Sequence, residues 1–153
     1  MNSNFNNTLA PSATGRQREA TTGGEEAAAE LLLGEFNGVP SLSLSEARLL
    51  INAVIDHRQK TNRKMQEGDT LRSTQKWLDE FARFKQKENI EAVERLLAGR
   101  AEFEPFERSQ LGSLCCDTSE EAKTLIPSIT HKISDEDLQE LLDNITSLRT
   151  FVE

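Results

Sequence analysis

Apolar residues fall in short clusters at helical spacing, and polar punctuation separates one cluster from the next. The first clear helix opens at Ser43, which forms a capping-box pattern with Glu46. Ala47, Leu50, Ile51, Val54 and Ile55 then recur on one face, fading at His57 into a polar stretch that reaches Gly68. Asp69 is the expected N-cap of a second helix running to about Lys87. Its stripe of Leu71, Trp77, Leu78, Phe81 and Phe84 predicts core. A third helix covers about 90–97, with Ile90, Val93, Leu96 and Leu97 inward and Gly99 as its stop.

Pro105 suits the first turn of a fourth helix, where its missing N–H costs nothing. Phe106, Leu111 and Leu114 anchor that helix, and Gly112 suggests a close backbone approach. Thr118 and Glu121 form a second capping box before a short fifth helix, which Pro127 ends by forcing the preceding residue out of helical geometry. The sixth helix is capped by Ser134, with Asp137 at the capping-box position and Ile133 placed to staple against Leu138. Asp135, Glu136 and Asp137 put negative charge at the positive end of its dipole. Its stripe runs from Leu138 through Leu141, Leu142, Ile145 and Leu148 to Val152. No stretch alternates as a strand does, so the expected class is all-α: a bundle of short amphipathic helices.

The segment ahead of the bundle divides in two. Residues 1–24 are rich in Asn, Ser, Thr, Gly and Ala and read as a disordered tail. Residues 25–42 crowd Leu31, Leu32, Leu33, Phe36 and Val39 between Gly34, Gly38 and Pro40. A stretch this short and interrupted cannot bury itself, so it reads as an apolar arm that docks either on its own bundle or on another chain. Composition agrees. Only 36% of residues are hydrophobic and mean hydropathy is −0.56, so the core of the remaining domain, 43–153, is thin.

Charge narrows the function. A net charge of −8 opposes autonomous gripping of nucleic-acid phosphates. The exception is the run from His57 to Lys76, whose Arg58, Lys60, Arg63, Lys64, Arg72 and Lys76 face only Glu67 and Asp69. Neighbouring Cys115 and Cys116 fit packing in a reducing compartment, and no second pair exists to build a metal site. A thiol–imidazole pair with His131 has no further support, the acidic cluster at 135–137 lacks calcium-loop spacing, and no phosphate-binding glycine loop occurs. No cofactor and no catalytic residue is expected. No apolar run approaches a membrane span, and the N-terminus lacks signal-peptide regions, so an intracellular protein is expected.

The stretch from Phe106 to Ile129 resembles, nearly residue for residue, the C-terminal region of the fourth-largest subunit of RNA polymerase II, of fungal type. Glu25-Glu26-Ala27-Ala28, Leu33-Gly34-Glu35-Phe36, Phe81-Ala82-Arg83-Phe84-Lys85 and the run Asp135 to Asp143 continue the likeness in the family's order. Two departures stand out. Cys116-Asp117 replaces what resembles Pro-Glu in many members, and the loop between the first two helices is short. The resemblance implies an HRDC-like helical domain and a non-catalytic subunit of DNA-directed RNA polymerase II that forms the stalk heterodimer with the seventh subunit. It further implies support of transcription initiation, roles in mRNA export and decay, and a location in the nucleus and also the cytoplasm. Nucleic-acid contact would run mostly through the partner. Leu31, Leu33, Phe36 and Val39 of the arm, with Leu50 and Val54 of the first helix, are the residues expected to meet that partner. The alternatives are a free-standing HRDC-like nucleic-acid-binding module, using the basic run around Arg63 and Lys64, and the equivalent subunit of another nuclear polymerase.

Overall fold

The computed structural model describes residues 27–61 and 68–150, together with the backbone alone at Thr150. The tail at 1–24, Glu25 and Glu26 of the arm, Arg63, Lys64 and Glu67 of the basic run, and Val152 lie outside the described residues. Six α-helices occur in the described part: α1 (Leu44–Lys60), α2 (Asp69–Phe81), α3 (Lys87–Ala98), α4 (Pro105–Leu114), α5 (Ser119–Leu125) and α6 (Asp135–Thr150). Short 3-10 turns sit at Gly34–Phe36 and Pro127–Ile129. The all-α expectation holds. No helix among the described residues is long and apolar enough to cross a membrane.

The core forms around α6. Leu138, Leu141, Leu142 and Ile145 are wholly buried against α3 and α5, together with Phe103, Leu111, Ala122, Ile126 and Ile129. The start of α6 follows its sequence signature with one change. The Ser134 hydroxyl accepts from the Asp137 N–H (3.1 Å) and donates to the Asp137 carboxylate (2.9 Å). A one-methylene side chain thus binds the cap's own hydroxyl, where Glu would reach back to the cap's N–H. Thr118 caps α5 by accepting from Glu121 N–H, but the Glu121 carboxylate takes the N–H of Asp117, so the second box is reciprocated one residue early.

An antiparallel α1–α2 hairpin packs on this body through α1, which touches both α3 and α4. The Ser43–Glu46 capping box forms as expected, with both reciprocal hydrogen bonds. The first helical N–H, that of Leu44, donates to Ser113 Oγ on α4 (3.1 Å). Beside it, a Cβ placed on Gly112 would lie 3.4 Å from both Leu97 Cδ1 and Ser43 Cβ. These are ordinary contact distances, so α1, α3 and α4 meet closely around this position.

Three sequence expectations need correction. The second helix ends at Phe81, not near Lys87, because Ala82 turns to extended backbone and Phe84 drops into the core. A tertiary bond fixes that exit: the Phe84 N–H donates to the buried Ser45 hydroxyl (3.0 Å). Gly68, not Asp69, is the N-cap of α2, and no side chain caps it. Trp77 and Phe81, expected in the core, are each 48% exposed, while Leu78 between them is buried. Since α2 packs chiefly on α1, one neighbouring helix covers only part of so broad a stripe.

Replacing Ser45 with alanine would strand the buried Phe84 N–H. We expect a loss of about 1–3 kcal/mol in urea unfolding, against a change within about 0.5 kcal/mol for alanine at exposed Ser41. Equal midpoints for the two variants would show that the α2 exit does not depend on this bond.

Candidate docking surface

The arm has local order of its own. An isolated antiparallel bridge joins Ala27 and Leu31, and the Leu33 N–H donates to Asn37 Oδ1 (3.2 Å). Gly34 (φ 57°) and Gly38 (φ 70°) take left-handed backbone on either side of Phe36, which side chains resist. The result is a bent strap whose apolar residues face two ways. Leu31 and Leu33 are half-buried toward the body. Leu32, Phe36 and Val39 are exposed, Phe36 at 65%.

Beneath the strap lies a cleft of about 350 Å³, walled by Leu31, Leu33 and Phe36 on one side and Pro105 and Phe106 at the start of α4 on the other. Lys132 and the buried Ser128 complete it. Lys132 also donates to the wholly buried carboxylate of Glu107 (2.9 Å), whose same oxygen takes the Glu104 N–H in the capping box of α4. The ground under the arm is therefore fixed by an ion pair and a helix cap. A second cleft, of about 290 Å³, opens where the arm joins α1, between Leu42, Phe84, Val93, Leu97 and Arg108.

The six residues expected at the partner interface do not form one patch. Leu31, Leu33 and Phe36 line the cleft under the arm, and Val39 follows them on the exposed part of the strap. Leu50 and Val54 line a separate shallow cleft of about 260 Å³ on the outside of the hairpin, with Ile51, Ile55, Arg58 and Leu71. Both Leu50 and Val54 are half exposed. The sequence places Leu32 in the arm without singling it out, whereas it does not lead one to expect Leu42, Trp77 and Phe81, also exposed large apolar side chains, at the surface. A signal for the last two was present. Leu71, Leu78 and Ala82 share a narrow line on α2, and Trp77 and Phe81 stand roughly 100° round the helix from it.

The cysteines are not chemistry in waiting. Cys115 is the C-cap of α4 in left-handed backbone (φ 49°), and both thiols are free and buried. Burial pushes the Cys115 thiol up to about 11, and Cys116 is raised for the same reason. Neither is a thiolate near neutral pH, the form a nucleophile or metal ligand needs.

A family model described as RNA polymerase Rpb4 matches residues 41–149. The chain is 46% identical over 129 residues to "DNA-directed RNA polymerase II subunit rpb4" of Schizosaccharomyces pombe, spanning 83% of this chain and 94% of that one. It is 48% identical over 80 residues to the RPB4 subunit of Saccharomyces cerevisiae, covering 52% of this chain and 36% of the relative. With "DNA-directed RNA polymerase II subunit 4" of Arabidopsis thaliana the identity is 28% over 133 residues, 83% of this chain and 96% of the relative. Residues 41–153 fall short of the share matched in S. pombe, so that likeness extends back into the arm.

Because its pKa is raised on folding, Cys115 contributes stability that is complete below the ordinary thiol value of 9.0 and lost as pH climbs to about 11. Denaturant midpoints measured from pH 8 upward should therefore fall more steeply for the wild type than for Cys115→Ala. Parallel curves would show that the thiol titrates as it does in the unfolded chain.

Proposed function

The chain belongs to the RNA polymerase Rpb4 family, and on that basis we propose that it is a non-catalytic subunit of DNA-directed RNA polymerase II. In this reading it pairs with the seventh subunit as a stalk heterodimer, acts in the nucleus and supports transcription initiation. The observation that carries the reading is the distribution of apolar surface. The core around α6 is filled, yet Leu32, Phe36, Val39 and Leu42 on the arm and Leu50 and Val54 on α1 stay in water. Clustered large exposed apolar residues, here on the arm and on the outer side of α1, are the mark of an interaction surface.

The chemistry of the described residues supports an interaction role. One oxygen of the buried Glu107 carboxylate, Oε2, is committed to a helix cap and an ion pair. The two thiols are held protonated by burial. Contact with RNA would fall mainly to the partner, since this chain is acidic overall.

Expression of the chain alone and together with the seventh subunit, followed by size exclusion with light scattering, tests the pairing. We expect a 1:1 heterodimer. Phe36→Asp should weaken it more than tenfold, because a charge would be left in an apolar contact, while thermal stability of the free chain stays unchanged at so exposed a position. Leu33→Asp should weaken pairing as well, but its half-buried side chain makes it the less clean variant. Wild-type recovery of the partner by both variants would remove the arm from the interface.

A further inference from the structure

The outer face of the α1–α2 hairpin is larger than Leu50 and Val54 alone. Arg48 near the start of α1 pairs with Asp79 near the end of α2 (2.6 Å), and Ser45 holds the Phe84 N–H, which sets the two helices antiparallel. Leu71 of α2 shares the shallow cleft with Leu50 and Val54. From that register, helical geometry turns Trp77 and Phe81 to the same side of the hairpin as Leu50 and Val54. The two aromatic rings stack on each other, with centroids 5.1 Å apart and planes tilted by 39°. These four side chains are each 48–50% exposed.

Area argues for what covers them. A stable heterodimer buries about 800 Å² on each partner. A half-exposed large side chain offers on the order of 100 Å², so Leu32, Phe36, Val39 and Leu42 of the arm supply only roughly half of that requirement. The hairpin face supplies a similar amount and starts at the end of the hairpin that the arm joins. The arm joins α1 at the end of the hairpin where Ser45 meets Phe84, which is also the end that carries Phe81. Arg58 lines the far end of the apolar cleft and has no ion-pair partner among the described residues.

We infer that the partner subunit that takes the arm also covers the outer face of the α1–α2 hairpin, with Trp77 and Phe81 as its anchor. That partner presents an apolar surface carrying an acidic group opposite Arg58. The inference rests on the reading that the arm docks a partner subunit. Tryptophan is favoured at such anchors because it brings a large rigid contact area into a desolvated centre.

Trp77 is the only tryptophan in the chain, so 5-fluorotryptophan incorporation gives one fluorine signal that reports this face alone. On titration with unlabelled seventh subunit, the signal should shift and saturate at one equivalent. The double variant W77A/F81A should lose more than tenfold in affinity while the free chain keeps its melting temperature. A signal that stays put at saturation, with Phe36→Asp still abolishing binding, overturns the inference and leaves the docking reading intact. So does a signal in the free chain that moves on dilution, which would assign the face to a second copy, or on deletion of residues 1–24, which would assign it to the chain's own tail. If Phe36→Asp binds as the wild type does, the docking reading itself fails, whatever Trp77 reports.

Discussion

The rest of the molecule depends on the contact at Gly112. There the start of α1 lies close enough to α4 that its first N–H finds Ser113, and Leu97 and Ser43 stand within ordinary contact distance of the Gly112 position. This contact sets α1 against the bundle, and α1 in turn carries α2 and receives the arm. A wider spacing would separate the Ser45 hydroxyl from the Phe84 N–H and leave a buried donor without its acceptor. The seating of α1 on α4 thus governs where the hairpin and the arm stand.

The distribution of burial divides the chain by role. From α3 onward, inward residues are buried almost completely and the helices meet on several sides. The hairpin has one main contact with that body, and the arm rests over an open cleft. A free-standing domain gains nothing from holding Phe36 and Trp77 half in water, since each such ring forfeits burial energy. The chain belongs to the Rpb4 family, whose named relatives are polymerase subunits, and the proposed docking role gives that arrangement a reason.

Much of this was legible in the sequence because it is local. The Ser43–Glu46 box, Pro105 at the first position of α4, Thr118 as a cap and Pro127 as a stop all act within a few residues, and each stands where the pattern put it. What escaped was tertiary. The end of α2 is decided by a serine 39 residues earlier in the chain. Trp77 and Phe81 look like core in one dimension, and only the scarcity of helices around α2 exposes them. The arm was recognisable by its crowded leucines, but its two glycine bends, which turn Leu33 inward and Phe36 outward, needed the backbone to be seen.

The turn between α4 and α5 carries Cys116 and Asp117, where the family resemblance departs from Pro-Glu. Gln139, reaching across from α6, accepts from the Ser119 N–H (2.9 Å) and donates to the Asp117 carbonyl (3.0 Å). Both partners are peptide groups that any non-proline residue would present. The turn is therefore gripped through its main chain, while Cys116 is held in the core and the exposed side chain of Asp117 has no part in that grip. The hold on the turn rests instead at position 139, where a single amide ties the entry of α5 to α6.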